Sequence, residues 1–268
     1  MFFKKKKKVK VLDIGGVISS TKKARGYDHY KFLEELDDMR SDDKIAGAII
    51  RVNSPGGSAG ASSELAREIE DLNKEKPVLV SISDLCCSGG YMAAVAAREI
   101  WSSPMGLIGS IGVIIQVPDV QSLTEKIGLK MRVIKSSEMK DIGSPFRDMT
   151  DDERKVFEDL IEDGYNDFVD YVTGKRPKII ELNTDKETVK TKIATGAIFT
   201  ANKALKNGLI DNIGTFYDVV ERMAEILETD VEKMKLEYVK HGSFLSRHLG
   251  ELTGNITESV ENYFCGMR

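Results

Sequence analysis

A chain of 268 residues, 41% hydrophobic and 31% charged, has the length and composition of a folded globular protein, which excludes the disordered, fibrous and disulfide-stapled classes. Its formal net charge is −4 with basic residues dispersed among acidic ones, so no nucleic acid is expected as a partner. Three cysteines, Cys86, Cys87 and Cys265, form neither a disulfide framework nor a zinc spacing, and no metal or cofactor is expected.

The chain opens with five lysines, Lys4 to Lys8, read as a solvated terminus or as a peripheral membrane contact through anionic lipid. No run of about 18 consecutive apolar residues occurs, and the N-terminus lacks a signal-peptide pattern. The chain is expected to be soluble as given, with any membrane anchor lying outside it.

Short β-rich runs then alternate with helical patterns. Strands are predicted at 9–14, 46–52, 78–83, 99–103 and 130–135, with helices at 27–40 and 58–73 between the first three. This is the rhythm of βαβ units and predicts an α/β fold around a largely parallel sheet. In the second helix Leu65, Ile69 and Leu72 recur at spacings of four and three, marking a face that packs inward. Beyond residue 150 the texture changes. Thr150-Asp151-Asp152-Glu153 reads as a capping box that opens a long amphipathic helix. Phe157, Leu160, Ile161, Tyr165, Phe168 and Tyr171 mark the stripe expected to be buried.

Two glycine-rich turns follow predicted strands. In Asn53-Ser54-Pro55-Gly56-Gly57-Ser58, tandem glycines at a helix N-terminus let backbone N–H groups approach a phosphate or an oxyanion, although the nucleotide-loop pattern is missing. In Cys86-Cys87-Ser88-Gly89-Gly90-Tyr91, a serine on a tight strand-to-helix turn is either an ordinary helix N-cap or a nucleophile. The two turns together favour the nucleophile. Cys86 and Cys87 read as small packing residues, and Cys87 has no nearby histidine to activate it.

A serine nucleophile needs a base. Of the three histidines, His29 lies in the first helix, and His241 and His248 lie in the polar C-terminal tail, so a Ser-His-Asp triad is poorly supported. A lysine does the same work where desolvation leaves its neutral amine available.

The chain resembles the SppA-type signal peptide peptidases of the crotonase and Clp-protease superfamily. The resemblance rests on the two turns above, on Gly109-Ser110-Ile111-Gly112-Val113, on Lys140-Asp141-Ile142-Gly143-Ser144-Pro145-Phe146-Arg147, and on Phe199-Thr200 leading to Gly208-Leu209-Ile210-Asp211. It covers the chain from about Val9 to Glu225. Ala197 and Ala201 depart from the family pattern in the later turn.

The resemblance implies a crotonase/Clp-protease-like α/β fold of repeated ββα units with a largely parallel sheet and a helical C-terminal portion. It divides the chain into a basic segment (1–8), a peptidase domain (9–228) and a C-terminal extension (229–268). It implies a serine endopeptidase with a Ser/Lys dyad: Ser88 as nucleophile, Lys140 as general base, Ser110 orienting the lysine, and the N–H groups of Gly57 and Gly89 as the oxyanion hole. Substrates would be signal-peptide remnants and other apolar or unfolded peptides. Subunits would form a ring with the dyad shared across their boundary, in a membrane-associated peptidase with an extracytoplasmic catalytic domain. The rival readings are a Clp-like Ser-His-Asp peptidase, a crotonase-fold acyl-CoA enzyme and a non-catalytic scaffold.

Overall fold

The computed structural model of the chain describes residues 6–21 and 27–239. Three strands, β1 (Lys7–Gly15), β2 (Ile45–Ser54) and β3 (Val78–Cys87), lie side by side and parallel, connected by α1 (His29–Ser41) and α2 (Ala59–Glu75). Beyond β3 come α3 (Gly89–Ala94), β4 (Glu99–Ser102) and β5 (Leu107–Gly109). The later part contributes α4 (Gln121–Lys126), α5 (Asp151–Lys175), α6 (Pro177–Asn183), α7 (Lys186–Lys192), β6 (Ile198–Thr200), α8 (Ala201–Lys206), β7 (Asn212–Ile213), α9 (Phe216–Ile226) and β8 (Met234–Tyr238). The sheet runs β6-β5-β3-β2-β1-β8, with β4 and β7 branching from β3. Every pair is parallel except β5 with β6. The sheet thus takes in residues on both sides of the expected domain boundaries, since β1 begins at Lys7 and β8 lies beside it.

The strands read as nearly continuous apolar runs because both faces of the sheet are covered. Leu12, Ile14, Ile50, Val52, Val80 and Ile82 face a core shared with Phe32 and Leu36 of α1, Leu65 and Ile69 of α2, and Phe168, Val169 and Val172 of α5. Val9, Ile49 and Leu79 point the other way, onto Val219, Val220 and Met223 of α9. The alternation follows from the two-residue period of a strand.

The capping box forms as the sequence predicts: Glu153 N–H donates to Thr150 Oγ1, and Thr150 N–H donates to the Glu153 carboxylate. Two expectations are corrected. Residues 130–135 pair with no strand among the described residues and run as irregular chain, with Met131, Val133 and Ile134 exposed. The stripe on α5 is buried only at Phe168. Phe157, Ile161, Tyr165 and Tyr171 are half-buried and Leu160 is exposed. Periodicity marks a face suited to burial without saying what covers it, and the first half of α5 projects past the core of its own chain.

The motif Gly208-Leu209-Ile210-Asp211 is structural. Arg176, at the end of α5, is buried and grips Asp211 through both terminal nitrogens at 2.8 Å, while Asp211 also accepts the Ile100 N–H of β4 at 2.8 Å. Tyr91 of α3 donates its hydroxyl proton to Leu209 O at 2.8 Å. Removing one partner of such a pair strands the other, so Arg176→Ala should destabilise the fold by about 3 kcal/mol, read from the midpoint of chemical denaturation.

Candidate active site

Ser88 follows the last residue of β3 and precedes α3, with φ 50° and ψ −124°. A non-glycine residue in this region is strained, and a sharp strand-to-helix turn of this kind lifts its side chain clear of the backbone. Ser88 occupies the N-cap position of α3, but its side chain makes no capping hydrogen bond. Its own N–H donates to Gly109 O at 2.8 Å, which ties the turn to β5.

The two glycine turns are in direct contact. A Cβ on Gly56, where φ is +100°, would stand 2.7 Å from Gly89 N and 2.8 Å from Ser88 Cβ. A Cβ on Gly57 would stand 2.0 Å from Ile18 O, and one on Gly89 would stand 2.1 Å from the buried Ser62 Oγ. No other residue type fits at these positions. Ser54, fully buried, holds the first turn by donating to Gly16 O at 2.6 Å and accepting Gly56 N–H at 3.1 Å. Ile18 pairs with Gly57 as an isolated parallel bridge: Ile18 N–H donates to Gly56 O, and Ser58 N–H donates to Ile18 O. That pattern turns the Gly57 N–H away from Ile18. Among the described residues neither Gly57 N–H nor Gly89 N–H has a backbone or side-chain acceptor outside regular helix and strand ladders.

Register carries Ser110 to the same place. Cys87 pairs with Gly109, so Ser88 and Ser110 follow adjacent partners on β3 and β5. Ser110 also has φ 50°, and its N–H donates to Ala197 O at 2.7 Å. Both serines line one cavity of about 500 Å³, with Val113, Ile114, Ile161, Tyr165 and Lys190 on its walls.

Lys140 is not among the residues lining that cavity. It sits in a 3-10 turn (Glu138–Asp141), exposed, with no side-chain partner among the described residues. The turn itself is firmly held. Asp141 accepts Lys135 Nζ and Arg147 Nη2, each at 2.9 Å, and Arg147 reaches on to Glu153 at the start of α5, Nη1 to Oε2 at 2.9 Å. Hydrogen bonds from Arg147 and then Lys135 push the Asp141 carboxyl well below its usual range. Those from Arg147 and from the Thr150 N–H lower Glu153 to about 2.

The other candidate nucleophile and bases fall away. Burial drives the Cys86 thiol up and lifts Cys87 to about 11, so neither supplies a thiolate at neutral pH. His29 is buried, with Nδ1 at 2.9 Å from the Tyr27 hydroxyl and Nε2 at 2.7 Å from Glu64, and it does not line the cavity. His241 and His248 lie outside the described residues. Sequence reasoning missed Lys190, which lies on α7 among neighbouring lysines with no motif around it. It also missed the scaffolding roles of Ser54 and Ser62, whose only sequence signal was their place in and just after the first turn.

The sequence profile of Peptidase family S49 matches residues 70–231. The chain belongs to this family of serine peptidases. It is 36% identical to a Methanocaldococcus jannaschii protein that carries a provisional protease name, over 88% of this chain and 73% of the relative. It is 31% identical to Protease 4 of Salmonella typhi over 83% of this chain and 35% of that one. It is 35% identical to the chloroplastic serine protease SPPA of Arabidopsis thaliana over 69% of this chain and 26% of that one. The chain thus spans about a third or less of the two longer relatives. Among solved structures it is similar to the 1510-N membrane-bound stomatin-specific protease. A serine-to-alanine mutant of that protein superposes with TM-score 0.55 at 16% identity, over 88% of this chain and 99% of that one. A lysine-to-alanine mutant in complex with a substrate peptide gives 0.57 at 17% identity, over 93% and 99%. The α/β fold of repeated units around a largely parallel sheet is therefore the crotonase/Clp-protease-like one expected from the sequence.

The ion cluster around Arg147 generates a pH prediction. Glu153 has a folded pKa below its unfolded value, so its contribution to stability is complete above the ordinary carboxylate range and is lost as the pH falls toward about 2. The thermal midpoint of the protein should fall over that interval. The fall should be shallower in Arg147→Ala, as followed by circular dichroism.

Proposed function

We propose that this chain is a serine endopeptidase whose nucleophile is Ser88 and whose general base is Lys140, hydrolysing signal-peptide remnants and other apolar or unfolded peptides. The observation that carries the reading is the strained turn at Ser88, which sets a hydroxyl free of capping on a cavity wall, while the Gly56-Gly57 turn, which does not line that cavity, packs directly against the backbone of Ser88 and Gly89.

In this mechanism a peptide carbonyl lies between Ser88 and the N–H groups of Gly57 and Gly89. The neutral amine of Lys140 takes the Ser88 proton as Oγ bonds to the carbonyl carbon. The two N–H groups donate to the resulting oxyanion where charge develops, which is where fixed dipoles accelerate acyl transfer most. Collapse breaks the C–N bond, and the lysine ammonium returns the proton to the departing amine. Water then attacks the acyl carbon with Lys140 accepting its proton, the bond from that carbon to Ser88 Oγ breaks as the lysine ammonium returns the proton to Oγ, and the acid product leaves and ionises to a carboxylate, with serine and neutral lysine restored. Ser110 hydrogen-bonds the lysine and fixes its direction.

The position of Lys140 supports a dyad completed between subunits. Its side chain is exposed and outside the Ser88 cavity of its own chain, on a turn held rigid by Asp141, Arg147 and Glu153. In the stretch of chain that carries it, from residue 113 to the middle of α5, Leu123, Ile127, Met131, Val133, Ile134 and Leu160 are exposed, and apolar side chains left open in number mark interaction surfaces. We read this surface as the contact by which copies of the chain close into a ring, bringing Lys140 of one to Ser88 of the next. The two structural neighbours are mutants of one protease, in which a serine and a lysine respectively are changed to alanine. That protein is described as membrane-bound and stomatin-specific, and a membrane-associated setting with an extracytoplasmic catalytic domain is proposed for this chain by analogy.

Ser88→Ala and Lys140→Ala should each abolish hydrolysis of an apolar peptide while circular dichroism remains that of the parent, because the two act as one unit. Cys87→Ser should retain activity. Undiminished cleavage by Ser88→Ala would defeat the proposal.

The shared dyad predicts recovery on mixing. When the two inactive variants are dissociated, combined and reassembled, about a quarter of the boundaries pair an intact Ser88 with an intact Lys140, and activity should return to about that fraction. No recovery despite demonstrated subunit exchange would place the dyad within one chain.

A further inference from the structure

The cavity beside Ser88 is apolar along most of its wall, through Val113, Ile114, Ile161 and Tyr165, and it carries one charged side chain, that of Lys190. No carboxylate lines it among the described residues. Lys190 is fixed from two directions: its Nζ donates to Asn166 Oδ1 at 2.8 Å, and its backbone carbonyl accepts the Tyr165 hydroxyl at 3.3 Å. An ammonium has three protons to donate, and here a single neutral amide oxygen takes one of them. Glu187, one turn earlier on α7, forms no ion pair with it, and among the described residues Nζ has no carboxylate within ion-pair reach. Most ion pairs of this chain lie on its surface, where lysines such as Lys74 and Lys155 find carboxylates on their own helices. Lys190, among the described residues, stands against an apolar wall without one. Its hydrogen bond goes to Asn166 and not to Ser88, so it is arranged to hold a charge near the serine and not to take the serine's proton.

A cation presented in this way is complementary to an anionic group on an otherwise apolar ligand, since a charge-assisted hydrogen bond strengthens where neighbouring walls exclude water. We infer that Lys190 makes the Ser88 cavity a carboxylate-binding subsite. The favoured substrates are then apolar peptides that carry a carboxylate within a few residues of the bond that is cut. That carboxylate is either a free C-terminus or the side chain of Glu or Asp. A free C-terminus would make the enzyme a trimmer of fragments already released by another peptidase. A side chain would make it selective for acidic positions within a longer chain. The inference rests on Ser88 as nucleophile and adds the substrate class.

The test uses the whole 268-residue chain in its assembled form and two pairs of synthetic peptides built on one apolar sequence. One pair differs only in a C-terminal carboxylate or amide. The other, blocked at both ends, differs only in Glu or Gln beside the cleaved bond. In the wild type, kcat/KM should favour the carboxylate member of one pair by about tenfold, the size expected of a hydrogen bond to a charged group. Which pair responds identifies the source of the carboxylate. The ratio should approach one in Lys190→Met and persist in Lys190→Arg. Dissociation constants of the same peptides for the Ser88→Ala protein should follow the same order, which reads the subsite without catalysis. Equal treatment of both pairs by the wild type overturns the inference, as does a ratio unchanged in Lys190→Met. Should Lys190→Met fail to fold, the wild-type and Lys190→Arg ratios decide. Hydrolysis by Ser88→Ala at the wild-type rate would instead overturn the nucleophile assignment, so the two failures are told apart.

Discussion

The contact between the Gly56-Gly57 turn and the Ser88 turn is the constraint on which the rest of the site depends. It leaves room for no Cβ at Gly56, which would meet Gly89 N, Ser88 Cβ and Cys87 O, while Ile18 excludes one at Gly57 and the buried Ser62 excludes one at Gly89. The contact exists because β2 and β3 are parallel neighbours, so their C-terminal ends emerge together at one edge of the sheet. A third strand, β5, adds the Gly109-Ser110 turn at the same edge, and Ile18, just past β1, adds a fourth segment. Clustering of loops at the carboxyl ends of parallel strands is the general way in which open α/β sheets build sites. The backbone at Ser88 and Ser110, both at φ 50°, costs on the order of 1–3 kcal/mol each, and it persists because the surrounding hydrogen bonds leave no alternative.

A second theme is the division of the chain into a covered part and an uncovered part. Through β5 the apolar side chains are mostly buried, and both faces of the sheet are closed by helices. From residue 113 to the middle of α5 the apolar side chains are largely open, although the backbone is held by specific contacts. Val120 N–H donates to Pro145 O, and the ion cluster of Lys135, Asp141, Arg147 and Glu153 bridges from the lysine turn to the cap of α5. A segment that is ordered by polar contacts yet apolar on its outer face has the composition of an interface core. In the proposed ring its function is to present Lys140, and the cluster fixes the turn before any partner arrives.

Much of this was legible in the sequence because it is set locally. The strands at β1, β2, β3 and β4 and the helices α1 and α2 follow from runs and spacings of Val, Ile and Leu. The capping box at Thr150 and Glu153 follows from two residues three positions apart. The glycine turns announce themselves because the backbone at Gly56 needs a positive φ and close packing leaves no room for a Cβ at Gly89. Residues 130–135 misled because Met131, Val133 and Ile134 have the character of a strand while no neighbour in the described sheet receives them. The stripe on α5 misled for a related reason, since a helical period specifies a face and not its partner.

What the sequence by itself determined is therefore the α/β alternation and the two glycine turns with Ser88 in the second, each set by a local pattern, while Lys140 and Ser110 were singled out only through the family resemblance. Only the tertiary structure decided that Gly56 touches Ser88, that the register of β3 with β5 places Ser110 beside it, that Lys140 stands apart on the surface, and that Lys190 enters the cavity. Each of these depends on contacts between segments far apart in the chain. Such contacts are fixed by strand order and by which apolar faces find each other, and no local pattern of residues encodes them.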